Sequence, residues 1–139
     1  MDKQLVDPKL ESLRRCVLRV ETKLPENLEA FLKDIDAQDI IALKLTRAIH
    51  MCVDIAAHWL AENTEASAPK TMGQAFEALS KSGLISEDLA NRMRLSVGFR
   101  NVMVHNYDEV NWQIVYSIGS KRIGDFRTFA QVFSTLLSR

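Results

Sequence analysis

The sequence has few of the residues that interrupt helices: its 139 residues include five glycines and three prolines. This scarcity argues against the many tight turns of a β-sandwich or barrel, while abundant Leu, Ala, Glu, Lys and Arg favour helix. Hydrophobic residues make up 47% of the chain, which excludes a disordered tail and allows one apolar core. The chain contains no evident repeat or low-complexity tract. We therefore expect a single domain over residues 1–139.

Cysteines and long apolar runs are also scarce. The two cysteines, Cys16 and Cys52, both lie in apolar helical patterns, so we expect buried thiols in a reducing compartment rather than a disulfide framework or a zinc site. No apolar run approaches the roughly 18 residues that a membrane span needs. The residues that follow Met1 do not resemble a signal peptide. These features predict a soluble, cytoplasmic protein that does not bind a membrane.

The formal net charge is zero, which argues against a protein that coats nucleic acid non-specifically. The charges are nevertheless unevenly distributed. No acidic residue lies between Asp88 and Asp108, whereas Arg92, Arg94 and Arg100 all lie there. Such a patch is able to hold a phosphate in an otherwise neutral protein, although many patches of this kind are ordinary solvated helix faces.

The first half of the chain has apolar residues at steps of three and four, which predicts amphipathic helices. Asp7 and Pro8 are expected to open the first helix, as cap and first helical residue. Pro25 is expected to end it or to introduce a short second helix. Asp36 is predicted to cap a long helix that runs to about position 62. Residues 63–70, which are small and polar, are predicted to form a loop.

The second half is expected to hold three more helices. Thr71 is predicted to cap a short helix that ends before Gly83, and Ser86 to cap the next helix. A final helix is predicted from Trp112 to Leu137, with a bend at its glycines. The predicted fold class is therefore all-α: an antiparallel helical bundle of four main helices plus one or two short ones.

One segment, residues 98–107, combines residue types that are suited to catalysis. It places Arg100, Asn101, His105 and Tyr107 within eight residues. On a regular helix, residues five apart point about 140° away from each other, so Arg100 and His105 would not share a face. Their side chains converge only if the helix ends or distorts between them, or if two copies of the segment meet.

These residue types suit RNA cleavage without a metal ion. The 2′-hydroxyl of RNA attacks the adjacent phosphate while a histidine such as His105 removes or donates a proton. Arg100 would hold the phosphate and stabilise developing charge, and Asn101 would bind the phosphate or orient the histidine. Two copies of the chain would supply two histidines, one for each proton transfer. By spacing alone, however, such an arginine and histidine also occur together by chance in many helices.

At this segment the sequence resembles the HEPN superfamily, and within it the HepT-like toxins. The hallmark of that family is an arginine, a polar residue, three or four variable residues and a histidine, here Arg100-Asn101-Val102-Met103-Val104-His105. A tyrosine two residues further on, here Tyr107, matches the longer HepT-like form. The preceding residues 97–99 and the pattern at 45–58 are also similar to that family. The resemblance covers roughly residues 36–137.

The resemblance implies a HEPN-like helical bundle that forms a homodimer and joins two Arg–His motifs in one cleft. It implies a metal-independent endoribonuclease with an RNA substrate, no cofactor and Arg100, Asn101 and His105 at the catalytic site. It further implies the toxin of a type VII-like toxin–antitoxin system, partnered by a minimal nucleotidyltransferase (MNT) antitoxin. In that family the antitoxin adenylylates the motif tyrosine, here Tyr107, and the added bulk and negative charge would block a phosphate-binding cleft.

A second polar group lies on the predicted long helix. His50, Asp54 and His58 are spaced four apart and lie roughly along one stripe, so a metal site is conceivable there. We expect instead that Asp54 pairs with a neighbouring arginine or histidine. Arg47 and Asp54 are therefore predicted to support the catalytic residues or the dimer seam, with ordinary surface residues as the alternative.

Two other functions are compatible with the pattern. One is a non-catalytic HEPN module that docks a nucleotidyltransferase and helps to bind its substrate. The other is a plain helical dimerisation domain, in which the Arg–His motif would be accidental. The intact pair of Arg100 and His105 favours the ribonuclease, because a docking module needs neither. The sequence leaves the RNA target open.

Overall fold

The computed structural model describes residues 1–64 and 69–139, and these residues form seven α-helices and no strand. The helices are α1 (Lys3–Lys23), α2 (Leu28–Lys33), α3 (Ile35–Asn63), α4 (Met72–Lys81), α5 (Glu87–His105), α6 (Trp112–Lys121) and α7 (Ile123–Leu137), and a 3₁₀ turn covers Tyr107–Glu109. The all-α class is confirmed. Part of the predicted loop at 63–70 lies outside the described residues.

The first helix begins earlier than predicted, so the assignment of Asp7 and Pro8 to its start was wrong. Asp2 is the N-cap, and its carboxylate accepts hydrogen bonds from the backbone N–H groups of Gln4 and Leu5. Pro8 lies inside the helix, where it removes one backbone hydrogen bond. Val6, upstream of the proline, is fully buried, and its burial favours the longer helix.

The other helix starts follow their capping residues closely. Asp34, rather than the predicted Asp36, caps α3 by accepting from the N–H of Ala37. Thr71 and Ser86 cap α4 and α5 as predicted. Gly83 follows the end of α4 with a φ of +81°, in the left-handed region that glycine adopts without strain.

The predicted final helix is two helices, which raises the number of short helices to three. The helix is interrupted at Arg122, where φ is −113° and ψ is 0°. This residue is both the C-cap of α6 and the N-cap of α7. Gly119 and Gly124 flank the break and weaken the helix on either side of it. The Asp125 side chain, just after the break, accepts two hydrogen bonds from Nε of Arg92 on α5.

Helix α3 is the centre of the bundle and contacts all six other helices. It runs antiparallel to α1, because Lys9 pairs with Asp54 while the N-terminal amine pairs with Glu62. The core also contains five fully buried phenylalanines, Phe31, Phe76, Phe126, Phe129 and Phe133. No helix in the described part of the chain is long and apolar enough to cross a membrane.

Helix α5 also runs antiparallel to α3. The Thr46 hydroxyl lies 3.6 Å from Sδ of Met103, and Asp39, one to two turns earlier on α3, contacts Tyr107 just beyond the end of α5. The start of α3 therefore lies beside the end of α5. This arrangement brings residues that are far apart in sequence to the segment that carries the Arg–His motif.

Candidate active site at the end of helix α5

The Arg–His motif lies on an unbroken helix. Helix α5 continues through His105 and ends at Asn106, the predicted stop residue, whose N–H donates to the carbonyl of Val102. The helix neither ends nor breaks between Arg100 and His105, so the first of the two alternatives for convergence does not apply. Because the two residues are five positions apart, they point in different directions by about 140°. The remaining way to bring an Arg100 and a His105 side chain together is the meeting of two chains.

Arg100 lies on the core side of α5, on the same stripe as the buried residues Met93 and Val97. This position explains why the arginine is only half-exposed. Its Nη1 donates to Oδ1 of Asn101 at 3.2 Å. Its Nε is buried and has no acceptor among the described residues. A buried donor without a partner destabilises the fold, so stability alone does not account for this arginine.

Asn101 and His105 lie on the solvent side of the same helix. They are four residues apart, so they are neighbours on one stripe, and both are exposed. Gly98 lies on this stripe too, and a Cβ at that position would meet no atom within 4 Å. Asn101 therefore connects the two sides of the motif, with its amide oxygen on Arg100 and its backbone one turn before His105.

The predicted cationic patch is smaller than the sequence suggests. Arg92 forms an ion pair with Asp125 at 3.0 Å, so its charge is largely balanced within the fold. Arg94 is exposed, and neither it nor Arg100 forms an ion pair with the described residues. The arginines of α5 without an ion pair in the described part of the chain are therefore Arg94 and Arg100, and Arg100 is the first residue of the motif.

Tyr107 is held by two contacts just beyond α5. Its hydroxyl donates a hydrogen bond of 2.6 Å to Oδ1 of Asp39, and its ring packs edge-on against Trp112 with centroids 5.7 Å apart. Partial burial, together with the hydrogen bond to Asp39 and the charge of that carboxylate, raises the pKa of Tyr107 to about 12. The side chain is still 43% exposed, so its hydroxyl is positioned near solvent.

Asp39 was missed as a site residue. The sequence suggests only a favourable charge in the first turn of α3, and 68 residues separate it from Tyr107. No spacing rule connects residues at that distance. The contact depends on the antiparallel packing of α3 and α5, which the sequence pattern does not specify.

The two residues predicted to support the site lie on α3, away from these contacts. Asp54 pairs with Lys9 at 3.3 Å and with His50 at 3.8 Å, so it links α3 to α1. Arg47 is exposed and forms no salt bridge among the described residues. Neither hydrogen-bonds to Arg100 or His105, and a supporting role for them stays a prediction.

The metal site considered at His50, Asp54 and His58 does not form a cluster in the described part of the chain. His58 pairs instead with Glu62 at 3.4 Å. No group of three or more His, Cys, Asp and Glu side chains in residues 1–64 and 69–139 is arranged to hold a metal ion.

Apolar side chains surround the motif on the outer side of α5. Leu95 is 71% exposed and Val102 is 39% exposed on this side, whereas Val104, which is 48% exposed, follows Arg100 by four residues and shares its stripe. Leu95 also borders a shallow groove of about 220 Å³ between α5 and α6, together with Phe99 and the half-exposed Ile114. A helix that is apolar on both its inner and outer sides is typical of one that is covered on both sides.

Comparison with known proteins identifies the family. Residues 13–133 match the family described as ribonuclease HepT-like. The match begins within α1, earlier than position 36, where the resemblance begins in the sequence. The chain is also 30% identical over 124 residues to the mRNA nuclease HepT of Shewanella oneidensis, covering 89% of this chain and 92% of that protein.

Solved structures agree with this result. The fold is similar to that of the tri-AMPylated Shewanella oneidensis HEPN toxin in complex with MNT antitoxin, with a TM-score of 0.88, 28% identity and coverage of 97% of this chain and 99% of that one. A toxin–antitoxin structure with AMP-PNP also gives a TM-score of 0.88, with 27% identity over 95% of this chain and 98% of the other. The chain therefore belongs to the HepT-like family of HEPN ribonucleases.

Proposed function

We propose that this ribonuclease is the toxin of a toxin–antitoxin pair and cleaves RNA without a metal ion at a cleft between two copies of the chain. The observation that carries the proposal is the motif on α5: Arg100 with a buried, unpartnered Nε, linked through Asn101 to the exposed side of the helix where His105 lies. The family and the relative named an mRNA nuclease support RNA as the substrate.

The proposed reaction is an internal transesterification. The 2′-hydroxyl of the RNA attacks the adjacent phosphorus, and the bond to the 5′-oxygen of the next nucleotide breaks. His105 of one chain removes the proton of the 2′-hydroxyl, and the same residue of the other chain returns a proton to the leaving oxygen. The guanidinium of Arg100 stabilises the negative charge that develops on the phosphate, and Asn101 keeps the guanidinium oriented. The products carry 2′,3′-cyclic phosphate and 5′-hydroxyl ends.

A homodimer follows from the same geometry. Arg100 and His105 diverge by about 140° on one unbroken helix, and one chain offers a single histidine in the motif. The exposed apolar residues Leu95 and Val102 lie on the same helix, where a second α5 would cover them. A second copy of the chain is therefore the molecule that covers Leu95 and Val102.

Regulation would act at Tyr107. We infer that a minimal nucleotidyltransferase antitoxin binds the toxin and transfers AMP to the hydroxyl of Tyr107, as the AMPylated relative bound to its MNT antitoxin suggests. Tyr107 lies two residues beyond His105, so the added phosphate would compete with RNA for the positive charge of the motif. The cytoplasm is the expected compartment, because both cysteines are free and RNA is present there.

The test is cleavage of bulk tRNA and mRNA by the purified protein in excess EDTA. The wild type should cleave and leave 2′,3′-cyclic phosphate ends, and His105→Ala should lower the rate by roughly 100-fold or more, since acid–base catalysis contributes about that much. His58→Ala is the matched control, because His58 pairs with Glu62 outside the motif. Absence of cleavage by protein whose intact mass excludes an added nucleotide would favour the docking module instead.

A further inference from the structure

The contact between Tyr107 and Asp39 has the geometry of a nucleophile with its base. The phenolic oxygen and Oδ1 of Asp39 are 2.6 Å apart, within the reach that proton transfer requires. Asp39 is the one hydrogen-bond partner of that hydroxyl among the described residues. The contact joins two elements that are 68 residues apart in sequence, so local chain geometry does not produce it.

A phenol is a weak nucleophile while it keeps its proton. Partial burial, together with the contact to Asp39, raises the pKa of Tyr107 to about 12 and leaves almost no phenolate at neutral pH. A reaction at this oxygen therefore needs a group that takes the proton as the new bond forms. The toxin itself presents such a group, already in position, on an exposed turn of α3.

We propose that Asp39 is the general base for nucleotidyl transfer to Tyr107, so that the toxin supplies a catalytic residue for its own modification. The inference rests on the proposed function, because it takes Tyr107 as the acceptor. It differs from that function in assigning a chemical role to a residue of α3, outside the Arg–His motif.

The proposed step balances as follows. A lone pair of the Tyr107 oxygen attacks the α-phosphorus of a nucleoside triphosphate held by the nucleotidyltransferase. The bond from that phosphorus to the bridging oxygen breaks, and pyrophosphate leaves with the electron pair. The phenolic proton passes to Oδ1 of Asp39. Because Asp39 is exposed, its carboxyl group then releases the proton to water.

Two contacts hold the acceptor in place. The edge-on contact with Trp112 holds one side of Tyr107, and the hydrogen bond to Asp39 fixes the position of its hydroxyl. Because Tyr107 is 43% exposed, a donor nucleotide reaches it from solvent. The acceptor is therefore oriented before the donor nucleotide arrives, which lowers the entropic cost of the transfer.

The test compares Asp39→Asn with the wild type. Asparagine keeps an oxygen that accepts a hydrogen bond but is not a useful base at neutral pH. The full chain is incubated with the Shewanella oneidensis MNT antitoxin and MgATP, and the gain of AMP is followed by intact mass, with Tyr107→Phe as the blank. Asp39→Asn should lower the initial rate by roughly 100-fold. Modification of Asp39→Asn at the wild-type rate would overturn the inference and leave the proposed function standing.

Asp36→Asn is the matched control. Asp36 lies in the first turn of α3, three residues before Asp39, is exposed and makes no hydrogen bond to Tyr107, so this variant loses the same charge without losing the base. We expect its rate to stay within about twofold of the wild type. Thermal unfolding of both variants checks that α3 still folds.

A second measurement needs no partner protein. Adenosine 5′-phosphorimidazolide, an activated form of AMP, is offered to the chain alone, and labelling of Tyr107 is measured by mass. If Asp39 acts as the base, Asp39→Asn labels more slowly, and its rate rises about tenfold per pH unit because it depends on free phenolate. If the carboxylate only holds the proton in place, Asp39→Asn labels faster. Modification of the wild type by the antitoxin at a residue other than Tyr107 would count against the proposed acceptor, while this measurement still decides the role of Asp39.

Discussion

Helices α3 and α5 lie side by side and antiparallel, yet their apolar residues are distributed differently. On α3, the large apolar residues of the inner stripe, such as Ile41, Leu45 and Ile49, are fully buried. On α5, Met93 is equally buried, but Leu95 is 71% exposed on the opposite side. Helix α3 also exposes two apolar residues, Ile35 at 70% and Leu43 at 49%, so the difference lies in position: the exposed Leu95 is on the helix that carries the Arg–His motif.

The polar residues of the two helices differ in the same way. On α3, Asp54 is paired with Lys9 and His50, and Gln38 donates to the carbonyl of Phe31, so these polar groups have partners within the fold. On α5, the Nε of Arg100 is buried without an acceptor. The Nε2 of His58 on α3 also lacks a hydrogen-bond partner among the described residues, although it lies 3.4 Å from Glu62. Arg100 differs because it belongs to the Arg–His motif, so the comparison favours α5 as the helix that contacts other molecules.

Removal of a core side chain should have the largest effect on stability. Phe129 is fully buried and packs against Phe76 and Phe133, so Phe129→Ala should lower the free energy of unfolding by about 3–5 kcal/mol. Urea denaturation measures this change. Leu18→Ala, at a site on α1 that is 63% exposed, should change it by less than about 0.5 kcal/mol. Similar losses in both variants would refute the division between core and surface.

Placing a charge on the outer side of α5 should break the dimer but not the fold. Leu95→Glu should raise the dissociation constant of the dimer by at least about 100-fold, because an unpaired carboxylate would be buried in the interface. Light scattering coupled to size exclusion measures this shift, and RNA cleavage should fall with the loss of dimer. Leu18→Glu places the same charge on exposed α1 and should leave the dimer intact. A wild-type chain that is monomeric would contradict the proposed interface.

The smallest effect concerns the ionisation of Tyr107. Burial, together with the hydrogen bond and charge of Asp39, raises the pKa of Tyr107 from 10 to about 12. The protonated hydroxyl therefore stabilises the fold below pH 10, and this contribution is lost as the pH rises from 10 to about 12. Absorbance at alkaline pH measures the ionisation of Tyr107 when the signal of Tyr107→Phe is subtracted. In Asp39→Asn this ionisation should move to lower pH. An unchanged transition in that variant would show that the contact does not persist in solution.

Local signals in the sequence predicted much of the fold. Thr71, Ser86 and Gly83 mark helix ends through bonds to residues a few positions away, and each does so in the structure. Asp2 was overlooked because Asp7-Pro8 is a stronger local start signal, whereas in the structure the helix extends across the proline with Asp2 as its cap and Val6 buried. The break at Arg122 was also missed, since the apolar spacing continues through it.

The candidate site was predictable in composition but not in arrangement. Arg100, Asn101, His105 and Tyr107 are close in sequence, so their residue types and spacing indicated them directly. Which side of α5 each one occupies follows from the helical period, once the helix is known to be unbroken as far as His105. The partner of Tyr107 was not predictable, because it depends on how α3 and α5 pack.

A tyrosine esterified to a nucleotide has no proton left to share with Asp39. Its oxygen would instead carry a phosphodiester anion, which the neighbouring carboxylate repels, so the two groups could not remain 2.6 Å apart. If Tyr107 is the residue that the antitoxin modifies, as proposed, the silenced toxin would therefore differ from the active one by more than an appended group. Tyr107 would lose the hydrogen bond that holds it beside Asp39, and the repulsion would move the nucleotide away from the start of α3.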